Sequence, residues 1–400
     1  MSKQYDIIIV GGGIIGLATA LQIHIKQSSR KILILEKESV VAQHQTSHNS
    51  GVIHSGIYYK PGSLKAKNCV SGYQKMVQFC RENEIKHEIC GKIIVATSDQ
   101  EIPQLNKLLE RGLANGLAGL KELSAGELKE IEPHVNGIQG IFVPQTGIVD
   151  FGEVANTMKY ILLNGGVEIR CGEKVIGIQK ENNGSLVQTR QSEYFCKVIV
   201  SCAGLHSDRI ARLTQKDLRL RIIPFRGEYY TIKTEKKYLV KNLIYPVPDP
   251  SFPFLGVHFT RMIHGDVEAG PNAVFAFARE GYTRSSFNVK DIFESVAWPG
   301  FRSIARKYWR MGAGEFYRSL NKTAFTKALQ KLVPEITEQD LVAGGSGVRA
   351  QACDYDGNLL DDFYILEETS TIHVCNAPSP AATSSLSIGE YISERVFGHV

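Results

Sequence analysis

A chain of 400 residues exceeds the size at which one hydrophobic core usually keeps growing, so two domains are expected. With 43% apolar and 22% charged residues, the composition is that of an ordinary soluble globular protein. A net charge of +5 without a long Lys/Arg block argues against a nucleic-acid partner and only slightly favours anionic ligands or surfaces.

The opening "MSKQYDIIIVGGG" ends its apolar run in glycines rather than at a small-residue cleavage site, and no 18-residue apolar span follows. Neither a secretory signal nor a transmembrane helix is expected. Tyr5–Val10 reads as a buried strand, and Gly11-x-Gly13-x-x-Gly16 follows it directly. A helical run then places Ile14, Leu17, Ala18, Leu21 and Ile25 at spacings of three and four, and "KILILEKE" is a second strand ending in Glu36. In such a βαβ unit the glycines permit a tight turn, close backbone approach to a pyrophosphate and close helix–strand packing. The helix N-terminus favours the phosphate charge, and Glu36, 20 residues after Gly16, can accept hydrogen bonds from ribose hydroxyls. The pattern indicates an adenine dinucleotide without deciding between NAD and FAD.

Residues 48–59, "HNSGVIHSGIYY", have neither strand alternation nor a helical stripe and read as a structured loop. A metal site at His44, His48 and His54 is disfavoured, because position 45 holds Gln rather than the Glu of a zincin helix and no clear third ligand follows. The eight cysteines contain no C-x-x-C pair, and Cys69, Cys80 and Cys90 match no zinc spacing. Reduced thiols and a cytoplasmic location are expected, with no metal.

Helical patterns follow at 64–83 and 99–132, the latter ending at Pro133, and strands at 140–143, 167–178 and 186–190. "KVIVSCAG" repeats the strand-into-glycine pattern and reads as a further parallel member of the first sheet, bringing Ala203 and Gly204 toward the dinucleotide. From 220 to 336 the chain changes to aromatic, proline-rich strands and then a basic aromatic helix, the mark of an inserted domain. The last segment is strand, loop and a helix beginning near Ala381. The expected fold is α/β: a discontinuous Rossmann-like FAD-binding domain from 1–84, 150–219 and 337–400, and a mostly antiparallel substrate domain with helices from 85–149 and 220–336.

The blocks "IIIVGGGIIGLATA", "HNSGVIHSGIYYKPGSLKAKNC", "PFRGEYY", "YPVPDPSFPFLGVHFTRMIHGDVEAGPNA", "GGSGVRAQ" and "NAPSPAATSSLSIG" together resemble the L-2-hydroxyglutarate oxidase/dehydrogenase family, within the D-amino-acid oxidase and glycerol-3-phosphate dehydrogenase group. The resemblance implies FAD, oxidation of L-2-hydroxyglutarate to 2-oxoglutarate by hydride transfer from C2 to flavin N5, and attachment to the inner face of a membrane. Oxygen and a membrane quinone both stay open as electron acceptors. An amino acid or glycerol 3-phosphate as substrate, or a non-catalytic FAD-binding membrane partner, are the alternatives.

On that reading Thr46, Ser47, Asn49, Ser50 and Gly51 supply small polar and backbone contacts to the cofactor. Asn376, Ala377, Ser379 and Ala381 precede a helix whose free N–H groups can face the charge on reduced flavin. His54 or His258 is the expected base, since a neutral imidazole is available near pH 7. Arg226, Arg261 and Arg349 are the candidates for the substrate carboxylates, Arg349 foremost because glycines surround it. Finally, Trp298 and Trp309 lie in a segment, 298–318, with five basic residues against Glu315, a composition suited to an anionic membrane surface.

Overall fold

The computed structural model describes residues 3–249 and 255–398; 250–254, within the proline-rich strands read from the sequence, lie outside them. The strand Lys3–Val10 sits between two parallel neighbours, Ile32–Leu35 and Glu193–Ser201. Covered on both faces, its Ile7, Ile8 and Ile9 have no exposed surface, which is why the run is continuously apolar rather than alternating. Glu168–Arg170 extends this parallel sheet on one side and Thr371–Asn376 on the other. Helix Ile14–Lys26 packs on it, and helix Ser385–Phe397 lies so close to that helix that a Cβ on Gly389 would come within 2.6 Å of the Ala18 carbonyl oxygen.

Two helical and strand assignments divide where glycines intervene. The stretch 99–132 is not one helix but helices Ile102–Ala114 and Ala125–Ile131 with the strand Lys121–Ser124 between them. Gly116 and Gly119, at φ of +80° and +70°, break it. Likewise 167–178 is two strands, Glu168–Arg170 and Val175–Glu181, parted at Gly172 with φ of +77°. The last helix starts at Ser385, after a turn that occupies Ala381.

The second sheet has eight strands, in the order Leu341–Asp354, Leu220–Ile232, Val267–Phe275, His258–Arg261, Leu243–Pro246, Lys92–Ala96, Gln139–Val143 and Lys121–Ser124. All its pairs are antiparallel except Leu243–Pro246 with Lys92–Ala96. Leu341–Asp354, which the sequence pattern groups with the FAD-binding segments, pairs with Leu220–Ile232 along its length and belongs to this sheet. Its alternation cannot reveal a partner so distant in sequence. Buried Asp208 ties the halves together, accepting from Arg279 Nη2 at 2.8 Å and from the Ile222 N–H at 3.2 Å. Both segments come together around one cleft.

Candidate active site

The glycine turn is shaped by contact with its own neighbours. Gly11 adopts φ of +110°, and a Cβ there would lie 2.4 Å from the Cys202 carbonyl oxygen; a Cβ on Gly16 would lie 2.0 Å from that of Gly11. Gly13 caps helix Ile14–Lys26 without a side-chain hydrogen bond, and a Cβ on it would meet only Thr46 Oγ1, at 3.5 Å. The Glu36 carboxylate accepts from the Gly12 N–H at 2.7 Å and the Glu38 N–H at 2.9 Å, while Thr46 Oγ1 accepts from the Ile14 N–H at 3.0 Å. A helix N-terminus with space before it and a carboxylate beside it is a cradle for a dinucleotide.

The cradle opens into a cavity of about 670 Å³ lined by Gly11, Gly13, Glu36, Thr46, Asn49, Ser50, His54, Ala203, Gly204, Arg349, Asn376, Ala377, Ser379 and Ala381. These residues come from widely separated parts of the chain. Thr383 joins two of the segments: its Oγ1 accepts from the His54 N–H at 3.1 Å and donates to the Val52 carbonyl at 3.3 Å. Buried Asn376 Oδ1 and His54 Nδ1 have no partner among the described residues, which leaves polar atoms for a bound group to satisfy.

Other expected contacts lie behind the cavity wall. Gly16 serves helix packing, Ser47 Oγ donates to the Ala42 carbonyl at 2.8 Å, and Gly51, at φ of +63°, packs against the Val149 carbonyl oxygen. The Ala381 N–H is consumed by the Pro378 carbonyl at 3.0 Å, so it is not one of the free donors read from the sequence.

The arginines separate by strand register. Arg349 stands opposite Phe225, and Arg226 opposite Val348, so the two arginines point to opposite faces of the sheet. Arg349 shares the cavity wall with Tyr229, whereas Arg226 is buried in a pair with Glu228 at 2.7 Å and donates to the Thr283 carbonyl at 3.0 Å. Arg261 makes a bidentate pair with Glu88, at 2.9 and 2.6 Å. Both are occupied away from the cavity.

His54 lines the cavity; His258 lies behind the wall, stacked on Tyr245 with ring centres 4.0 Å apart, its Nδ1 donating to the Gly256 carbonyl at 2.9 Å. Burial, joined by the positive charges of Lys92 and Arg349, lowers His54 to about 3, and burial takes His258 to about 4. Both imidazoles are neutral at physiological pH.

Sequence reasoning misses Lys65, Tyr229, Gln351 and Asp361, which also line the cavity. Lys65 Nζ is 2.9 Å from Asp361 Oδ1. Lys65, Tyr229 and Gln351 stand in "KPGSLKAKNC", "PFRGEYY" and "GGSGVRAQ", but nothing within those runs singles them out. At the opposite end Glu38, His44 and Glu280 converge within 4.8 Å, a geometry open to a metal ion. Lys37 already supplies their counter-charge, contacting Glu38 and lying 2.6 Å from Glu280, and His48 stacks instead on Tyr282 at 4.2 Å.

Residues 6–395 match the family described as FAD dependent oxidoreductase. The chain belongs to that family. The FAD-dependent oxidoreductase fold extends to the L-alpha-glycerophosphate oxidase of Mycoplasma pneumoniae with FAD bound, at a TM-score of 0.81 and 23% identity over 99% of this chain and 95% of that one. Among curated relatives, the L-2-hydroxyglutarate dehydrogenase of Indibacter alkaliphilus is 56% identical over 98% of both chains. The human mitochondrial L-2-hydroxyglutarate dehydrogenase is 45% identical over 99% of this chain and 89% of its own. FAD is thus the cofactor of this chain.

Proposed function

We propose that this oxidoreductase converts L-2-hydroxyglutarate to 2-oxoglutarate and passes the electrons to oxygen or a membrane quinone. The reading is carried by Arg349 and neutral His54 lining the same cavity, and it is supported by the names of relatives that match nearly the whole chain. Bound FAD supplies the hydride acceptor. The guanidinium of Arg349 can hold a carboxylate bidentately, which fixes the hydroxyl-bearing carbon. Unpartnered Nδ1 of His54 accepts the hydroxyl proton, and the incoming carboxylates raise its affinity for that proton. Thr383 and Asn376 hold the loops on either side of this end of the cavity, Asn376 through the Leu360 and Asp362 carbonyls at 3.1 and 2.8 Å.

Anaerobic titration with L-2-hydroxyglutarate should bleach the flavin. Bleaching by an amino acid or glycerol 3-phosphate instead would assign a different substrate, and bleaching by none of them would make the chain a non-catalytic flavoprotein. Because His54 and His258 stay neutral down to about 3 and 4, kcat/KM should remain level between pH 7 and 5.5, where an ordinary histidine near 6.5 would begin to fail. A half-loss near pH 6.5 would point to a base that titrates as an ordinary imidazole and so rule out these two buried histidines with lowered values.

The same protein is proposed to rest on an anionic membrane surface. No helix of the described residues is long and apolar enough to cross a membrane. Val289, Phe293 and Val296 are exposed at helical spacing on Val289–Ala297, and Trp309 and Leu320 are exposed on the basic helix Pro299–Leu320. Trp298 does not join them: its Nε1 donates to the Asp354 carbonyl at 3.0 Å, and Arg212 and Arg221 cover its ring. Binding to anionic vesicles should weaken with added salt and fall when Arg306, Lys307 and Arg310 are replaced by Gln. Unchanged vesicle affinity in that triple variant excludes this helix as the contact.

A further inference from the structure

Lys92 begins the strand Lys92–Ala96 with only 1% of its surface exposed. A lysine in such a position is almost always paired with an anion, because an ammonium loses on the order of several kcal/mol of hydration on burial. No carboxylate of the described residues lies within 4.0 Å of Lys92. Its Nζ instead lies 4.3 Å from the centre of the Tyr58 ring and 5.0 Å from that of Tyr245. Cation–π contact offsets part of the lost hydration but brings no compensating charge.

The surroundings repeat the imbalance. Tyr245 stacks on His258, the buried Tyr58 hydroxyl has no partner among the described residues, and Cys69 Sγ donates to the His54 carbonyl at 3.4 Å. Cys69 is pushed up to about 12 and stays a neutral thiol. The charges that act on His54 from this side are Lys92, Arg349 and Lys65, all positive. Of these, Lys65 is paired with Asp361, whose side chain is 95% exposed. Burial lowers the Lys92 ammonium to about 7, so a negative charge brought up to this wall would favour its protonated form.

We propose that Lys92 is a specificity-determining residue whose buried ammonium is the counter-charge for the second carboxylate of a dicarboxylate substrate, Arg349 serving the first. The proposal rests on the 2-hydroxydicarboxylate reading above. Lys92 acts through the phenol wall rather than by touching the ligand, since Coulomb attraction persists over such distances in a medium of low dielectric constant. A residue kept for this purpose lowers stability, and an apolar isostere in its place should raise stability or leave it unchanged.

The test is Lys92→Met in the FAD-loaded enzyme, with binding measured calorimetrically so that turnover is not the readout. Affinity for 2-oxoglutarate should fall about tenfold or more, a loss of about 1.4 kcal/mol or more. Affinity for 2-oxovalerate, with the same five carbons and one carboxylate, should change less than twofold, and the thermal midpoint should hold or rise. Equal loss for both ligands, no loss for either, or a lower midpoint with unchanged discrimination would overturn the proposal. Lys92→Gln, which removes the charge but keeps a polar end, provides the same comparison if the Met variant does not fold. A parent enzyme that neither prefers 2-oxoglutarate to 2-oxovalerate nor is bleached by L-2-hydroxyglutarate would fail the substrate reading itself, before any variant is made.

Discussion

Arg349→Lys should retain its FAD yet reduce it on the order of 100-fold more slowly at saturating substrate, because displacing a reacting group by about 1 Å costs that much in rate. Lysine keeps the charge but replaces the planar fork by a single ammonium, so a carboxylate is attracted without being oriented. The strand around Arg349 gives little room for adjustment. A Cβ on Gly347 would lie 2.5 Å from the His48 carbonyl oxygen, and register with Leu220–Ile232 holds the arginine on the cavity face. The half-saturating concentration should rise as well. Rapid anaerobic mixing isolates reduction from reoxidation, and a Lys variant with parental rate and affinity would move the carboxylate site to another cation lining the cavity, such as Lys65.

Gly13→Val should abolish nearly all FAD content while the chain stays folded, and Gly16→Val should instead cost the fold. The difference lies in what a side chain would meet. At Gly13 the nearest protein atom is Thr46 Oγ1 at 3.5 Å, an ordinary contact, and the added branches project into the space before the helix N-terminus. At Gly16 the nearest is the Gly11 carbonyl oxygen at 2.0 Å, which only a displaced helix or strand could relieve. Flavin absorbance per chain and a far-ultraviolet melting curve separate the two outcomes. A yellow Gly13→Val protein would place the pyrophosphate elsewhere.

The parts legible in the sequence are those whose cause is local. Strand, glycines, helix and acid from Tyr5 to Glu36 are contiguous, and each residue type answers a need of its immediate neighbours. What escaped depends on pairings between residues far apart in the chain. The surrounding glycines set Arg349 ahead of Arg226 as a candidate, but only the pairing of Phe225 with Arg349 sends the two to opposite faces. The same holds for "CGKIIVA": nothing in that run says that its lysine is enclosed by Tyr58 and Tyr245, because the strand beside it, Leu243–Pro246, comes some 150 residues later in the chain. Trp298 and Trp309 share a basic segment, yet one faces the interior and the other solvent.

The hydrogen bond from His54 to Thr383 joins positions 329 residues apart. A ribosome adding about 5–20 residues per second takes tens of seconds to cover that interval. Throughout it the N-terminal βαβ unit has emerged without the loop that completes its pocket. Flavin capture is accordingly a task for the finished polypeptide, and a nascent chain stalled before Thr383 should be colourless however long it waits in riboflavin-replete cells.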